Sequence, residues 1–423
     1  MKRKIIYCLS FIIIVLITTL LCLPPKDEVI LESSKELKKQ NILAIMIETE
    51  EGTENYQEST SSSWPTDGYK FNSKLSRCTN GGELSWDKEK KTVSLSGSSD
   101  DKCYVYFDVG VESIADYCDS GTDLATCVKN FGDQGSAISN IYIHNSSLAN
   151  GAGDNSYRYA GASDKVNNFV CFGSTAATCP TDNLYRIIGV IDGKVKLIKY
   201  DFANSNLLGT DGDYYGSNTP NASYYKGSLT SIDKYYWNYK ATNKASNTWS
   251  TSLLNKTNLN TNYLNNIGTT WSNIIEDTTW KVSGHSNIDV TSIEMYTREI
   301  TNATKTYGPS NGTSKIGLMY VSDYGFAASP SAWTTTLNNY FGNDANGTSI
   351  KTINWMYMGY VEWTITPRSS NSSSVFILDN NGTVSTSNAS YGYGSRPVMY
   401  LKSSALYAGG SGTKNSPITL VVW

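Results

Sequence analysis

The chain has 423 residues, 17% of them charged, and a net charge of −3 at neutral pH. That length exceeds what one hydrophobic core serves and predicts two or three domains. Beyond its leading basic residues the chain carries about −6 with no basic stripe, which argues against a nucleic-acid partner.

Lys2, Arg3 and Lys4 precede an uncharged run, residues 5–23 (IIYCLSFIIIVLITTLLCL). As a helix this run is about 28 Å long, close to the roughly 30 Å hydrocarbon core of a bilayer. The basic cluster stays cytoplasmic, so the C-terminal side faces out. Pro24 and Pro25 end the run, and Lys26, Asp27 and Glu28 are costly in lipid. Residues 1–25 are therefore predicted to be a cytoplasmic basic tip and a single-pass transmembrane anchor. Two other readings are a cleaved signal peptide and a lipoprotein signal ending at Cys22. Residues 18–21 (TTLL) lack the small-residue pattern that cleavage favours. All three place the remainder outside the cell.

Residues 26–41 (KDEVILESSKELKKQN) predict a charged, weakly helical stalk. Residues 42–110 predict a small β-module. Its first strand, 42–49 (ILAIMIET), turns back as a hairpin through 53–58. Further strands at 69–78, 83–86, 92–95 and 103–107 are separated by Gly-, Asn- and Asp-rich turns. Residues 111–180 predict a connecting region. It contains a short helix over 123–131, with Leu124, Cys127, Val128 and Phe131 at helical spacing, and a Gly/Ser/Asn-rich loop over 133–168.

Residues 181–423 predict a larger α+β domain. Asp192-Gly193 between two β-rich arms, 184–191 and 194–200, is a type I′ hairpin signal. Two short helices follow at 258–267 and 270–276, then a buried-type strand at 316–321. Ser329 as N-cap with Pro330 at the first helical position predicts a helix to about Tyr340. Strands at 397–401 and 418–423 close the chain.

Six cysteines lie beyond the apolar run: Cys78, Cys103, Cys118, Cys127, Cys171 and Cys179. An even number outside the membrane reads as three disulfides, and chain order favours the local pairs 78–103, 118–127 and 171–179. Cys78 and Cys103 are expected to staple the outer strands of the β-module. Zinc is disfavoured because C-x2-C spacing is missing and only His144 and His285 offer imidazoles, both in polar loops.

Several stretches beyond residue 180 resemble an uncharacterised family of surface proteins from Gram-positive bacteria. They are LYRIIGVIDGKVKLIK (184–199), NTWSTSL (247–253), IGLMYVSD (316–323), EWTITPR (362–368), SRPVMYL (395–401) and GSGTKNSP (410–417). The layout also resembles, distantly, the C-type-lectin and formylglycine-generating-enzyme fold, which closes on an Arg-containing strand. The segment around Cys78 and Cys103 resembles a small β-module found beside this domain. The resemblance implies a fold without assigning an activity. Formylglycine-type chemistry uses cysteines, and none lies beyond Cys179.

No catalytic constellation emerges, and no cofactor or metal is expected. Asp323 and Glu362 are the best carboxylate pair for glycoside hydrolysis, each better explained by structural hydrogen bonding. Asp211 and Asp213 in the loop GTDGD (209–213) lack an EF-hand glutamate, so a polar turn is favoured over calcium. Binding is better supported: 30 Tyr and 10 Trp accompany abundant Asn, Ser and Gly, a mixture suited to recognition. The candidate ligand-binding residues are Tyr391, Tyr393, Trp363, Tyr360 and Arg368. The expectation is a membrane-anchored extracellular binding protein, not an enzyme, recognising a surface glycan or a protein partner. The alternatives are an exported carbohydrate- or cell-wall-active enzyme, and a structural or variable surface protein without a fixed ligand.

Overall fold

The computed structural model describes residues 35–50, 53–65, 68–87, 90–210, 225–229, 232–240, 244–303, 312–342, 344 and 346–422. The predicted anchor, most of the stalk, and Asp211 and Asp213 lie outside the described residues. Among the described residues, no helix is long and apolar enough to cross a membrane. The chain is mixed α+β, mostly sheet, and divides between Val111 and Glu112 into two compact units.

The first unit is built from two sheets. In one, Thr92–Ser96 lies between Lys35–Glu36 and Glu83–Asp87. In the other, the order is Tyr56–Glu58, Ile42–Glu48, Cys103–Val109, Tyr69–Phe71, with Arg77–Cys78 also paired to Cys103–Val109. Strand Cys103–Val109 alternates as a half-buried strand should: Cys103, Val105 and Phe107 point inward, while Tyr104 is exposed. Phe107 anchors this small core, with ring contacts to Trp64, Phe71 and Trp86 at 5.6–6.0 Å. The stalk expectation needs revision at its end, because Lys35–Glu36 is a sheet strand and Leu37 is core. The expected staple between outer strands is also revised. Cys103 sits on a central strand and Cys78 on the short strand paired to its edge.

The second unit surrounds a seven-stranded antiparallel sheet. Its order is Ile316–Gly317, Val398–Tyr400, Lys194–Lys199, Leu184–Ile191, Tyr157–Tyr159, Ile141–Ile143, with Phe169–Cys171 also paired to Leu184–Ile191. The predicted hairpin is its centre. Asp192 and Gly193 both adopt positive φ, +51° and +74°, as the type I′ turn requires. Leu184–Ile191 is buried along its whole length because both sheet faces are covered. A Cβ at Gly189, on this strand, would lie 2.2 Å from the Tyr157 carbonyl oxygen, so only glycine lets the neighbouring strand approach. Helix Leu124–Gly132 buries Leu124, Cys127, Val128 and Phe131, the spacing read from sequence, and Asp123 caps it by accepting the Thr126 N–H.

Residues 111–180 do not act as a connector. Ile141–Ile143 and Tyr157–Tyr159 are sheet strands, and Ile141, Tyr159, Val166 and Val170 enter the main core. The residues that enter the core are few and widely spaced, so a window average hides them. The helix expected over 329–340 is replaced by two single 3-10 turns, Pro330–Ala332 and Leu337–Asn339. The β-branched run Thr334, Thr335 and Thr336 between them disfavours helix. The Ser329 hydroxyl, expected to cap it, instead meets the Ile353 carbonyl at 3.4 Å. The strand expected over 316–321 is confined to Ile316–Gly317, and Val321 begins the buried helix Val321–Ala327.

All three predicted disulfides are present: Cys78–Cys103, Cys118–Cys127 and Cys171–Cys179.

Candidate functional site

Two features of the second unit stand out: a charged cavity and an exposed aromatic patch. The cavity, about 340 Å³, is lined among others by Arg158, Lys196, Tyr296, Tyr320, Asp323 and Tyr400. Lys196 and Tyr400 are register partners on adjacent sheet strands, and Arg158 comes from a third strand of the same sheet. Asp323 enters from the first turn of Val321–Ala327, where it accepts the Tyr320 N–H at 2.9 Å.

The charges at this point are shielded from water. Lys196 Nζ donates to Asp323 Oδ2 at 2.6 Å, and Arg158 Nη1 lies 3.4 Å from Asp323 Oδ1. Arg158 Nη2 also donates to Asp154 Oδ2 at 2.9 Å. Burial opposes ionisation of Asp154, yet the Arg158 guanidinium and the Ser156 and Tyr296 hydroxyls hold its carboxyl well below the usual range. Burial pulls the Lys196 amine down against the opposing pull of Asp323. Its ammonium faces the rings of Tyr320, Tyr400 and Trp280 at 4.5, 5.3 and 6.0 Å. Glu299, fully buried nearby, accepts the Val321 and Ser322 N–H groups at 2.9 and 3.1 Å and the Thr366 hydroxyl. Burial pushes its carboxyl up to about 7.

The sequence reading missed Lys196, Arg158 and Glu299. One signal was available for Lys196, a lysine inside a β-rich arm of the central hairpin, where both faces of the sheet are covered.

The aromatic patch collects part of the predicted ligand set. Tyr360 and Tyr391 are 48% and 55% exposed, two of the three large apolar side chains exposed in the described second unit; Phe341 is the third. The segments that carry them are joined by the Glu362–Gly394 bridge and by Trp363 N–H donating to the Gly394 carbonyl at 3.0 Å. Tyr393, half-buried, packs against Tyr391 and Trp363 at 6.5 and 4.8 Å. Trp363 is completely buried, its indole donating to the Tyr235 carbonyl at 2.7 Å, so it supports the patch from inside and offers no face to a ligand. Arg368 lies at the other end of strand Glu362–Pro367, about 20 Å away along the chain, where its Nε donates to the Ser286 carbonyl at 3.1 Å.

The remaining candidates are held by structural partners. Glu362 receives two 2.7 Å hydrogen bonds from Arg396, and both residues are buried. Asp323 lines the cavity and Glu362 does not. His144 differs from its expected place in an exposed loop: it is buried between Phe326 and Trp333, and Nδ1 accepts the Ala152 N–H at 3.0 Å. Burial lowers it to about 3. His285 is half-buried, and its Nδ1 accepts the Asn287 N–H at 2.9 Å. Among the described residues, no three His, Cys, Asp or Glu side chains form a metal cluster.

Compared with known proteins, the chain matches no family model, no curated protein and no solved structure.

Proposed function

We propose that this chain is a membrane-anchored, extracellular binding protein that recognises a surface glycan through the Tyr360–Tyr391 patch and performs no catalysis. One observation carries the reading: tyrosine and tryptophan elsewhere in the unit are largely spent on the core, whereas these two rings stand exposed on bridged segments. Exposed rings that lose little entropy on binding suit stacking against the apolar faces of sugars. Beside Tyr391, Asn388 Oδ1 accepts the Ser390 N–H and hydroxyl at 3.0 and 2.8 Å, which fixes the loop that carries the ring. The anchor lies in residues 5–23, and the disulfides fit an oxidising exterior. Strand Val398–Tyr400, which follows Arg396 and packs beside the central hairpin, is the element we read as C-type-lectin-like.

Hydrolysis is less favoured because Glu362 is buried against Arg396 rather than presented to a substrate. The test is a glycan array probed with the detergent-solubilised full chain. Wild type is expected to bind a defined glycan class, with at least tenfold loss in the Tyr360→Ala/Tyr391→Ala double variant at unchanged thermal stability. Equal binding by both proteins, or no glycan bound by folded wild type, would remove the proposal.

A further inference from the structure

The Lys196–Asp323 contact has features that an ordinary ion pair does not need. Lys196 Nζ and Asp323 Oδ2 are 2.6 Å apart, with side chains 1% and 2% exposed, from residues 127 apart in the chain. An ammonium has three donors, and among the described residues Asp323 is the hydrogen-bond acceptor found for this one. Its other directions are occupied by aromatic faces. A charge served so sparsely is costly to bury, which favours the neutral amine. The same site supplies a second carboxyl: Glu299 binds the N–H groups of Val321 and Ser322, immediately before Asp323 on the same turn.

We propose that Lys196 and Asp323 condense into an intramolecular amide cross-link, with Glu299 carrying the proton that the reaction moves. The pair first passes a proton from the Lys196 ammonium to the Asp323 carboxylate, giving an amine and a carboxylic acid. The nitrogen lone pair attacks Asp323 Cγ and forms the C–N bond. The second nitrogen proton passes through Glu299 to the departing hydroxyl, the C–O bond breaks, and one water leaves into the adjoining cavity. Nothing is oxidised or reduced, and no co-reactant is needed.

Three physical points favour the step. Fixing two reactants in contact inside a fold raises their effective concentration enormously, on the order of 10⁵ M or more in well-oriented cases. Arg158, 3.4 Å from Asp323 Oδ1, lies where negative charge develops in the tetrahedral intermediate. Charge balance survives the reaction, because the condensation removes one positive and one negative group and leaves Arg158 paired with Asp154. The remaining carbonyl oxygen, Oδ1, keeps Arg158 as its neighbour, while the departing Oδ2 is the oxygen that had accepted the Tyr320 N–H. The product would tie strand Lys194–Lys199 to helix Val321–Ala327.

The test is peptide mapping of the purified full chain by mass spectrometry. A branched peptide joining the Lys196 and Asp323 fragments and lacking the mass of one water is expected, with trypsin unable to cut after Lys196. Lys196→Arg should abolish it, and Glu299→Gln should reduce its yield at least tenfold while leaving Lys196 able to react with an amine label once the protein is denatured. Finding Lys196 and Asp323 only in linear peptides, in wild-type protein with all three disulfides intact, overturns the cross-link. Full cross-linking in Glu299→Gln overturns the role given to Glu299. The wild-type map decides the cross-link even where a variant fails to fold, and its outcome does not depend on glycan binding.

Discussion

A buried ionisable side chain reports how its surroundings weigh charge against neutrality, and Glu299 and His144 resolve that choice in opposite ways. Glu299 has an ordinary value of 4.5 and is held at about 7, because burial outweighs the hydrogen bonds from Ser322 and Thr366. The folded chain therefore keeps a proton that the unfolded chain has released. The resulting stability is complete below pH 4.5 and is lost as pH rises through 7. His144 is held at about 3 against an ordinary 6.5, chiefly by burial and then by the Arg158 charge. Its contribution is complete above pH 6.5 and is lost as pH falls toward 3. Between pH 4.5 and 6.5 the two slopes oppose each other. Urea midpoints measured across this window are expected to respond in opposite senses: Glu299→Gln should make stability rise more steeply with pH, and His144→Gln should make it fall. Parallel changes in both variants would contradict the assignment. Glu362 illustrates a third arrangement. Burial raises its carboxyl while Arg396 opposes that shift, and the two facing bonds fix both side chains in the core.

Elements were legible where one local rule acted without competition. The Asp192-Gly193 hairpin and the helix Leu124–Gly132 followed from turn chemistry and spacing, and the three disulfide pairs followed from proximity in the chain. Legibility failed where tertiary partners decided the outcome. Tyr157–Tyr159 is a strand because Leu184–Ile191 and Ile141–Ile143 flank it, and nothing within its own short sequence announces that. The candidate site was legible in the same uneven way. Aromatic clustering singled out Tyr360 and Tyr391, whose rings are exposed, but strand periodicity did not show that Trp363 faces inward, and long-range contacts alone assemble the Lys196 cluster. The first unit gives an element-scale prediction. Its core is small, so closing a loop across 25 residues with Cys78–Cys103 matters. The double variant Cys78→Ala/Cys103→Ala is expected to cost about 3–4 kcal/mol. Chemical denaturation followed by hydrogen–deuterium exchange of peptides covering Ile42–Glu48 and Cys103–Val109 reads that loss. A change under about 1 kcal/mol would show that the β-module does not rely on its bridge.

At the scale of the whole molecule, the proposed topology links the apolar run to the disulfides. In that topology residues 5–23 form the crossing, and no helix among the described residues is long and apolar enough to cross a membrane. In the proposed orientation Lys2, Arg3 and Lys4 stay in the cytosol and the cysteines from Cys78 to Cys179 face the exterior. Two independent readouts follow from that single orientation. Protease added to intact cells should remove material beyond residue 26 while leaving a cytosolic marker whole. In a denatured extract of the same cells, quenched in acid, a maleimide should not label these six cysteines until a reductant is added. The two results test different things, since a disulfide reports the compartment in which the chain oxidised and protease access reports where it resides. Full protection from protease together with free thiols at all six positions would place the chain inside the cell. The proposed glycan-binding role would then fall on topology alone.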